Sequence, residues 1–288
     1  MNTSFRYLSP WLLIFTAAWL VIFLTLFENP GELFLENGIL VLVGFLAAII
    51  GNITAIGGGI VFIPVLMFVY HLDPVKALKL AFVSQAIGMT SGATGWIQRK
   101  EVPMKLLKWT IPSLLLGTAI STFVLHPSPV IVKSLFGPIS LLVGVLTLVT
   151  VGRKGTLDSL PQKAMIPVFV ISIIGGLITG WVAIGEGEII AAFCMLAYGL
   201  NANKSIGLGV VLLSVNSIVL ALLHALYFGG VPWDMAIFTI LGCLWGGRMG
   251  PYLASKLPAF NIKKFFAYVA VVDGLVIIFQ VSRMYFGF

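Results

Sequence analysis

Charge is scarce in this chain. Only 9% of its 288 residues are Asp, Glu, Lys or Arg, against roughly 25% in a soluble domain. The charges that exist fall between apolar runs, which leaves no stretch from which a soluble domain could be built. Acid is scarcer than base, with ten Asp and Glu against seventeen Lys and Arg. Cysteine is nearly absent, and Cys194 and Cys243 both sit inside apolar segments; a disulfide framework and a metal cluster are excluded. The chain also lacks a Gly-x-Ser-x-Gly nucleophile elbow, a His-Glu-x-x-His metal pair and a Walker phosphate loop. Nothing calls for a cofactor, and without a nucleotide site the chain cannot itself be a primary pump.

What is present is apolar residue, 59% of the total, with a mean hydropathy of +1.09. A spanning helix takes about 20 residues, so the length accommodates roughly nine to eleven helical segments in an all-α polytopic membrane protein. Full-length apolar runs cover residues 10–27, 38–53, 77–97, 106–125, 133–151, 165–182, 205–228, 232–253 and 265–283. The first could pass for a signal peptide, but it lacks a small-x-small cleavage site and reads as a retained span. Two further runs, 60–71 and 188–200, supply only about 18 to 20 Å of helix, short of a hydrocarbon core of about 30 Å. Each reads as a half-helix.

The net charge of +7 would point to nucleic acid in a soluble protein. Here the basic residues lie in short loops, where membrane orientation accounts for them and no nucleic-acid partner is needed. Alternating the spans from a cytoplasmic N-terminus puts thirteen of the seventeen inside: Arg6, Arg99, Lys100, Lys105, Lys108, Arg153, Lys154, Lys163, Lys204, Arg248, Lys256, Lys263 and Lys264. Lys76, Lys79, Lys133 and Arg283 fall outside, and Glu28, Glu32 and Glu36 crowd the first outer loop. The expected location is a prokaryotic inner membrane.

The two halves are related. At an offset of 128, Ala55, Ile56, Gly57, Gly59, Met67, Tyr70, Leu72, Lys76, Leu80 and Val83 meet identical residues, ten matches in the twenty-nine positions from 55 to 83. One residue further out of register, Val102-Pro103 meets Val231-Pro232 and Gly117 meets Gly246. The charge count puts the loop after the first half-helix outside and its counterpart inside, so the repeats are expected to be inverted. The expected layout is an N-terminal helix at 1–30, a first repeat at 38–151 and a second at 165–283, each a broken hairpin plus three spans, in one membrane domain.

Each repeat opens with a glycine-rich break, Gly57-Gly58-Gly59 and Gly185-Glu186-Gly187-Glu188. Glycine inside a helix costs stability, so a matched pair of breaks calls for a purpose. If both hairpins turn near mid-depth, two helix N-termini converge there, and their free N–H groups and positive dipole ends make an anion site. The competing reading is that glycine merely permits close helix packing.

The segment Asn52-Ile-Thr54-Ala-Ile-Gly57-Gly58-Gly59-Ile-Val-Phe-Ile-Pro64-Val-Leu66, followed by Ala77 and Ser84, resembles the signature of the TauE/SafE family of sulfite-exporter-like permeases, with a weaker second copy from Gly180. The resemblance spans about residues 38–283. It implies a secondary transporter, often an exporter, of small anions such as sulfite, sulfonates or related organic acids. The residues at and beside the breaks, Asn52, Thr54, Gly57, Gly58, Gly59, Gly185 and Gly187, are the expected substrate contacts.

The chain departs from that pattern at Glu186 and Glu188, where small or apolar residues are usual. A charge at mid-membrane costs about 2.5 to 3.5 kcal/mol on insertion scales. Three readings follow: a carboxyl carrying a proton coupled to anion movement, a cationic or zwitterionic substrate, or carboxylates that cap their own helix N-terminus. Asp273 is a further proton-relay candidate, or a structural partner for Arg248, which itself is expected to snorkel.

Ser84, Gln85, Ser214 and Asn216 could line a pore with neutral donors, or simply join helices; Asn216 is the best functional candidate among them because a central amide needs partners. His71 and His126 read as interfacial, and His224 is ambiguous. Lys76 and Lys204, at equivalent positions, read as helix-end anchors or as attractors of anions. Gly88-x-x-x-Gly92 leaves open whether the chain is a monomer or a homodimer. An anion channel and, less favoured, an intramembrane enzyme are the alternatives to a carrier.

Overall fold

A computed structural model describes residues 10–124, 129–149, 152, 155–182 and 185–286. Arg6, His126, Arg153, Lys154, Ala183 and Ile184 lie outside the described residues. The chain is an all-α polytopic membrane protein. Its helices are α1 (Pro10–Leu26), α2 (Pro30–Asn37), α3 (Ile39–Thr54), α4 (Gly59–Phe68), α5 (Pro74–Gln98), α6 (Met104–Phe123), α7 (Pro129–Val149), α8 (Met165–Val182), α9 (Glu186–Tyr198), α10 (Ala202–Leu222), α11 (Trp233–Ala254) and α12 (Ala259–Phe286). Among the described residues, pairing of strand type is confined to an isolated bridge between Leu157 and Leu200.

Among the described residues, four segments are individually long and apolar enough to cross a membrane: Met104–Phe123, Gln162–Gly180, Ala202–Phe228 and Phe260–Arg283; α1 and α2, bent by 117°, make a fifth if taken as one span. The eight residues of α2, expected to be loop, are helical. The local signal for a helix is Pro30, which occupies its first turn where a missing N–H is harmless.

Helix starts follow recognisable chemistry. Asp73 precedes Pro74 and accepts hydrogen bonds from the Val75 and Lys76 amides at 2.9 and 3.3 Å, satisfying two orphan donors of α5. Asn201 does the same for α10 through the Asn203 amide at 2.9 Å. The two caps are 128 residues apart. Pro103 and Pro232, 129 apart, precede α6 and α11 with closely similar backbone angles.

Packing repeats the pattern. α3 lies along α11 as α8 lies along α6; α4 packs on α5 as α9 packs on α10; α5 meets α10, and α7 meets α12. Exchanging the halves interchanges the first two pairs and the next two, and maps α5–α10 and α7–α12 each onto itself. Individual contacts obey the same exchange, since a methyl group on Gly117 would collide with the Ile173 carbonyl and one on Gly246 with the Phe45 carbonyl. Backbones this close need small residues at the crossing.

α5 sits at the centre between α10 and α11. Its Ser84, Gly88 and Ser91 all face α11: Ser84 shares a hydrogen bond with Thr239 at 2.6 Å, Ser91 donates to the Leu244 carbonyl at 2.7 Å, and Gly88 packs on Cys243. Gly92 packs on Asn52. The Gly88-x-x-x-Gly92 face is therefore spent inside the chain. α1 is fastened to α11 by Trp19 Nε1, which donates to the Ile237 carbonyl at 2.7 Å.

Candidate functional site

Both expected breaks are present. α3 ends at Thr54, Ala55 turns left-handed at φ 60°, and Gly57 at φ 96° redirects the chain into α4. Gly185, at φ 109°, stands immediately before α9. Positive φ is the conformation that glycine adopts without steric cost, and it recurs at the matched positions. Neither α4 nor α9 receives a side-chain hydrogen bond from its N-cap residue.

The two breaks touch. A methyl group on Gly187 would strike the Ala55 carbonyl, and one on Gly209 of α10 would lie 2.6 Å from the Gly187 carbonyl oxygen and 2.8 Å from the Ala55 Cβ. The end of α3, the start of α9 and the first half of α10 thus meet where a side chain on Gly187 or Gly209 would collide.

Glu186 and Glu188 occupy the first turn of α9, both fully buried, but two residues apart on a helix they project to different sides. Glu186 accepts from Asn216 Nδ2 of α10, while Asn216 Oδ1 accepts from Thr118 of α6 at 2.8 Å. The Glu186 amide donates to Thr179 Oγ1 of α8 at 3.2 Å. Glu188 instead accepts from Ser140 of α7 at 2.8 Å. Both carboxyls thus meet polar side chains of neighbouring helices.

Asp273 joins Glu188, its Oδ2 3.1 Å from Ser140 Oγ. It does not pair with Arg248. That guanidinium, expected to snorkel, is buried and donates to Thr94 and Gln98 on α5, a polar helix end that substitutes for water.

Of the remaining candidates, Asn52 is buried at the end of α3 and donates to the Ala48 and Gly88 carbonyls at 2.8 and 3.2 Å. Thr54 donates to the Ile50 carbonyl and accepts from the Ile56 amide, bracing the first break. Ser84 is engaged with Thr239 and Ser214 with Thr90 at 2.8 Å, and Gln85 is buried on α5. His224, in a π-helical turn, stacks on Phe82 and meets Phe228 at a tilt. Lys204 pairs with Asp158 at 2.9 Å, whereas Lys76 lines a cavity of about 450 Å³ with His71, Asp73 and Asp234.

Sequence reasoning missed Thr118, Thr179 and Ser140. The first two carried a signal. Counting forward by 129 residues from Thr118, and back by 128 from Thr179, Glu186 and Asn216, gives Gly247, Gly51, Gly58 and Gly88. Four glycines of one crossing become a four-residue polar cluster in the other.

The fold defines an integral membrane protein whose interrupted helices meet in its interior, and its relatives are membrane transporters. The chain belongs to the sulfite exporter TauE/SafE family, whose model matches residues 40–277. It is 23% identical over 253 residues to the probable membrane transporter protein YjnA of Bacillus subtilis, covering 83% of this chain and 98% of that one. It is 21% identical over 273 residues to the probable membrane transporter protein YunE of the same organism, covering 84% and 97%. No solved structure matches.

Proposed function

We propose that this protein is a secondary transporter that exports small anions, such as sulfite, sulfonates or related organic acids, across a prokaryotic inner membrane with its N-terminus in the cytoplasm. The carrying observation is the contact between the two breaks, Ala55 at the end of α3 against Gly187 in the first turn of α9, with a glycine at the N-cap of both α4 and α9. Backbone N–H groups and positive dipole ends suit an anion there, with Asn52, Thr54, Gly57, Gly58, Gly59, Gly185 and Gly187 nearest the junction. Ser84, Ser214 and Asn216 join the surrounding helices, and with Gln85 they are the neutral polar groups offered to the substrate.

The recurring caps and exchanged contacts support two repeats, and the basic-residue count supports their inversion, the architecture of alternating access. Glu186, Glu188 and Asp273 supply coupling to protons. The carboxyl of Glu186 at the break itself favours one second reading, a zwitterionic substrate whose cationic end meets that residue.

Uptake into proteoliposomes against a panel of sulfite, sulfate, sulfonates, carboxylates and amines, with and without a pH gradient, tests this. Saturable anion flux with counterflow is expected. Flux of amines alone would overturn the anion reading, flux that neither saturates nor shows counterflow would indicate a channel, and turnover in detergent an enzyme.

A further inference from the structure

We infer that the coupling proton resides on a carboxyl pair bridged by one hydroxyl, Glu188, Ser140 and Asp273, and that Ser140 is its positioning residue. This rests on the proton-coupled reading above and assigns it to one of the two carboxyl groupings of α9. The three side chains come from α9, α7 and α12 and are at most 1% exposed. Ser140 Oγ lies 2.8 Å from Glu188 Oε1, 3.1 Å from Asp273 Oδ2 and 3.0 Å from the Ala270 carbonyl oxygen.

A serine hydroxyl has one proton to give and lone pairs to receive. A carbonyl oxygen and two ionised carboxylates can only accept. Both carboxyl contacts are hydrogen bonds at the same time only when one carboxyl brings a proton of its own, donating to Ser140 as Ser140 donates onward. With both carboxylates ionised, two buried like charges would share one donor. The other oxygens, Glu188 Oε2 and Asp273 Oδ1, are buried and have no hydrogen-bond partner among the described residues. The bridge therefore holds open acceptor positions at both ends, where a proton can enter or leave.

The transfer balances. The Asp273 O–H breaks as its proton joins Ser140 Oγ, the original Ser140 proton passes to Glu188, and the pair carries one negative charge before and after. Loss of that proton to a solvent path leaves two negative charges, which is the state change available for coupling.

Among the described residues, neither Glu188 nor Asp273 forms an ion pair with a cation. Glu186, on the same turn of α9, is turned to Asn216; Arg248 of α11 reaches Thr94 and Gln98; Lys204 of α10 holds Asp158; and His224 stacks on Phe82 and touches Phe228. Lys263, ten residues before Asp273 on α12, is about 15 Å away along the helix axis. Nor is the bridge an architectural requirement of both halves. Continuing the same offsets, its members correspond to Ile60, Val269 and Gly144.

The test is an infrared pH-difference titration of the full chain reconstituted in lipid, which needs no substrate, alongside sulfite flux from the same vesicles under a pH gradient. The expected result is a protonated-carboxyl band that is lost in Glu188→Gln and in Asp273→Asn and kept in Glu186→Gln. Ser140→Ala should move its midpoint by about one pH unit, with Ser140→Thr returning it. A band that survives both Glu188→Gln and Asp273→Asn, or that vanishes only in Glu186→Gln, overturns the assignment while leaving proton coupling intact. Sulfite flux indifferent to the gradient in the unmodified chain would instead remove the coupling reading itself. Should Glu188→Gln fail to give monodisperse protein, Asp273→Asn and the Ser140 pair decide the matter.

Discussion

Asn216 donates its amide to Glu186 at the start of α9, and both residues stand where the first half has glycine, at Gly88 and Gly58. The amide works in both directions, since its oxygen takes the Thr118 hydroxyl. Asn216→Ala removes the donor and leaves a fully buried carboxyl short of a partner, at a cost of about 1 to 3 kcal/mol. Glu186→Gln in the same background should cost much less than it does alone. A double-mutant cycle on thermal stability in detergent should give a coupling of about 0.5 to 3 kcal/mol; strict additivity would show that the contact contributes nothing.

The Gly187 position is the tightest test of the junction. Gly187→Ala drives its methyl group into the Ala55 carbonyl and the Leu213 side chain. The carbonyl belongs to the backbone and cannot turn aside, so overpacking should cost about 1 to 3 kcal/mol and reduce transport more than stability, because it forces the two breaks apart. Gly31→Ala meets nothing within 4 Å and serves as the neutral control in the same melting and flux assays.

Much of this architecture is legible in the sequence because membrane helices declare themselves by apolar runs and breaks declare themselves by glycine. The boundaries of α3, α8 and α11 fall within about two residues of the expected runs, and the shortness of α4 and α9 follows from the short apolar runs at 60–71 and 188–200. The polar contacts are not legible in that way. Ser140 is one serine among many on apolar helices, and only the crossing of α7 with α12 brings it to Asp273. Asp273 and Arg248 look like partners because both are charges in apolar surroundings, but hydropathy carries no information about which helices adjoin. Thr118 and Thr179 are readable in principle, by asking where one half has glycine and the other a hydrogen-bonding side chain.

The paired caps give a prediction about the repeats. Asp73→Ala and Asn201→Ala each remove the side-chain acceptor that satisfies the first amides of a central helix, and each should cost about 1 kcal/mol. Asp73→Asn should retain nearly all of the stability, since an amide oxygen accepts equally. Thermal unfolding in detergent is the measurement. Unequal losses, with one cap mute, would show that α5 and α10 start by different means despite their matching geometry.

Bulk is exchanged between the halves at one further crossing, and this makes a compensation experiment. In the first half Asn52 fills the space against Gly92 and Gly250; in the second, Gly180 stands in place of Asn52 and Ser121 in place of Gly250, and the two are again in contact. Gly92→Ala places a methyl group on the Asn52 amide, which is buried between α3 and α5 and braced by Ala48 and Gly88. The single variant should lose about 1 to 3 kcal/mol through overpacking. Asn52→Ala alone surrenders two hydrogen bonds and leaves the Gly88 carbonyl short of a donor. Combined, the two changes relieve each other's main fault: the added methyl group enters the volume that the amide has vacated, as the Ser121 side chain occupies the equivalent crossing beside Gly180. The double variant should therefore be more stable than the sum of the singles predicts by at least about 0.5 kcal/mol. If its loss equals that sum, Gly92 and Asn52 do not compete for one space, and the exchange of bulk between the halves has no energetic meaning.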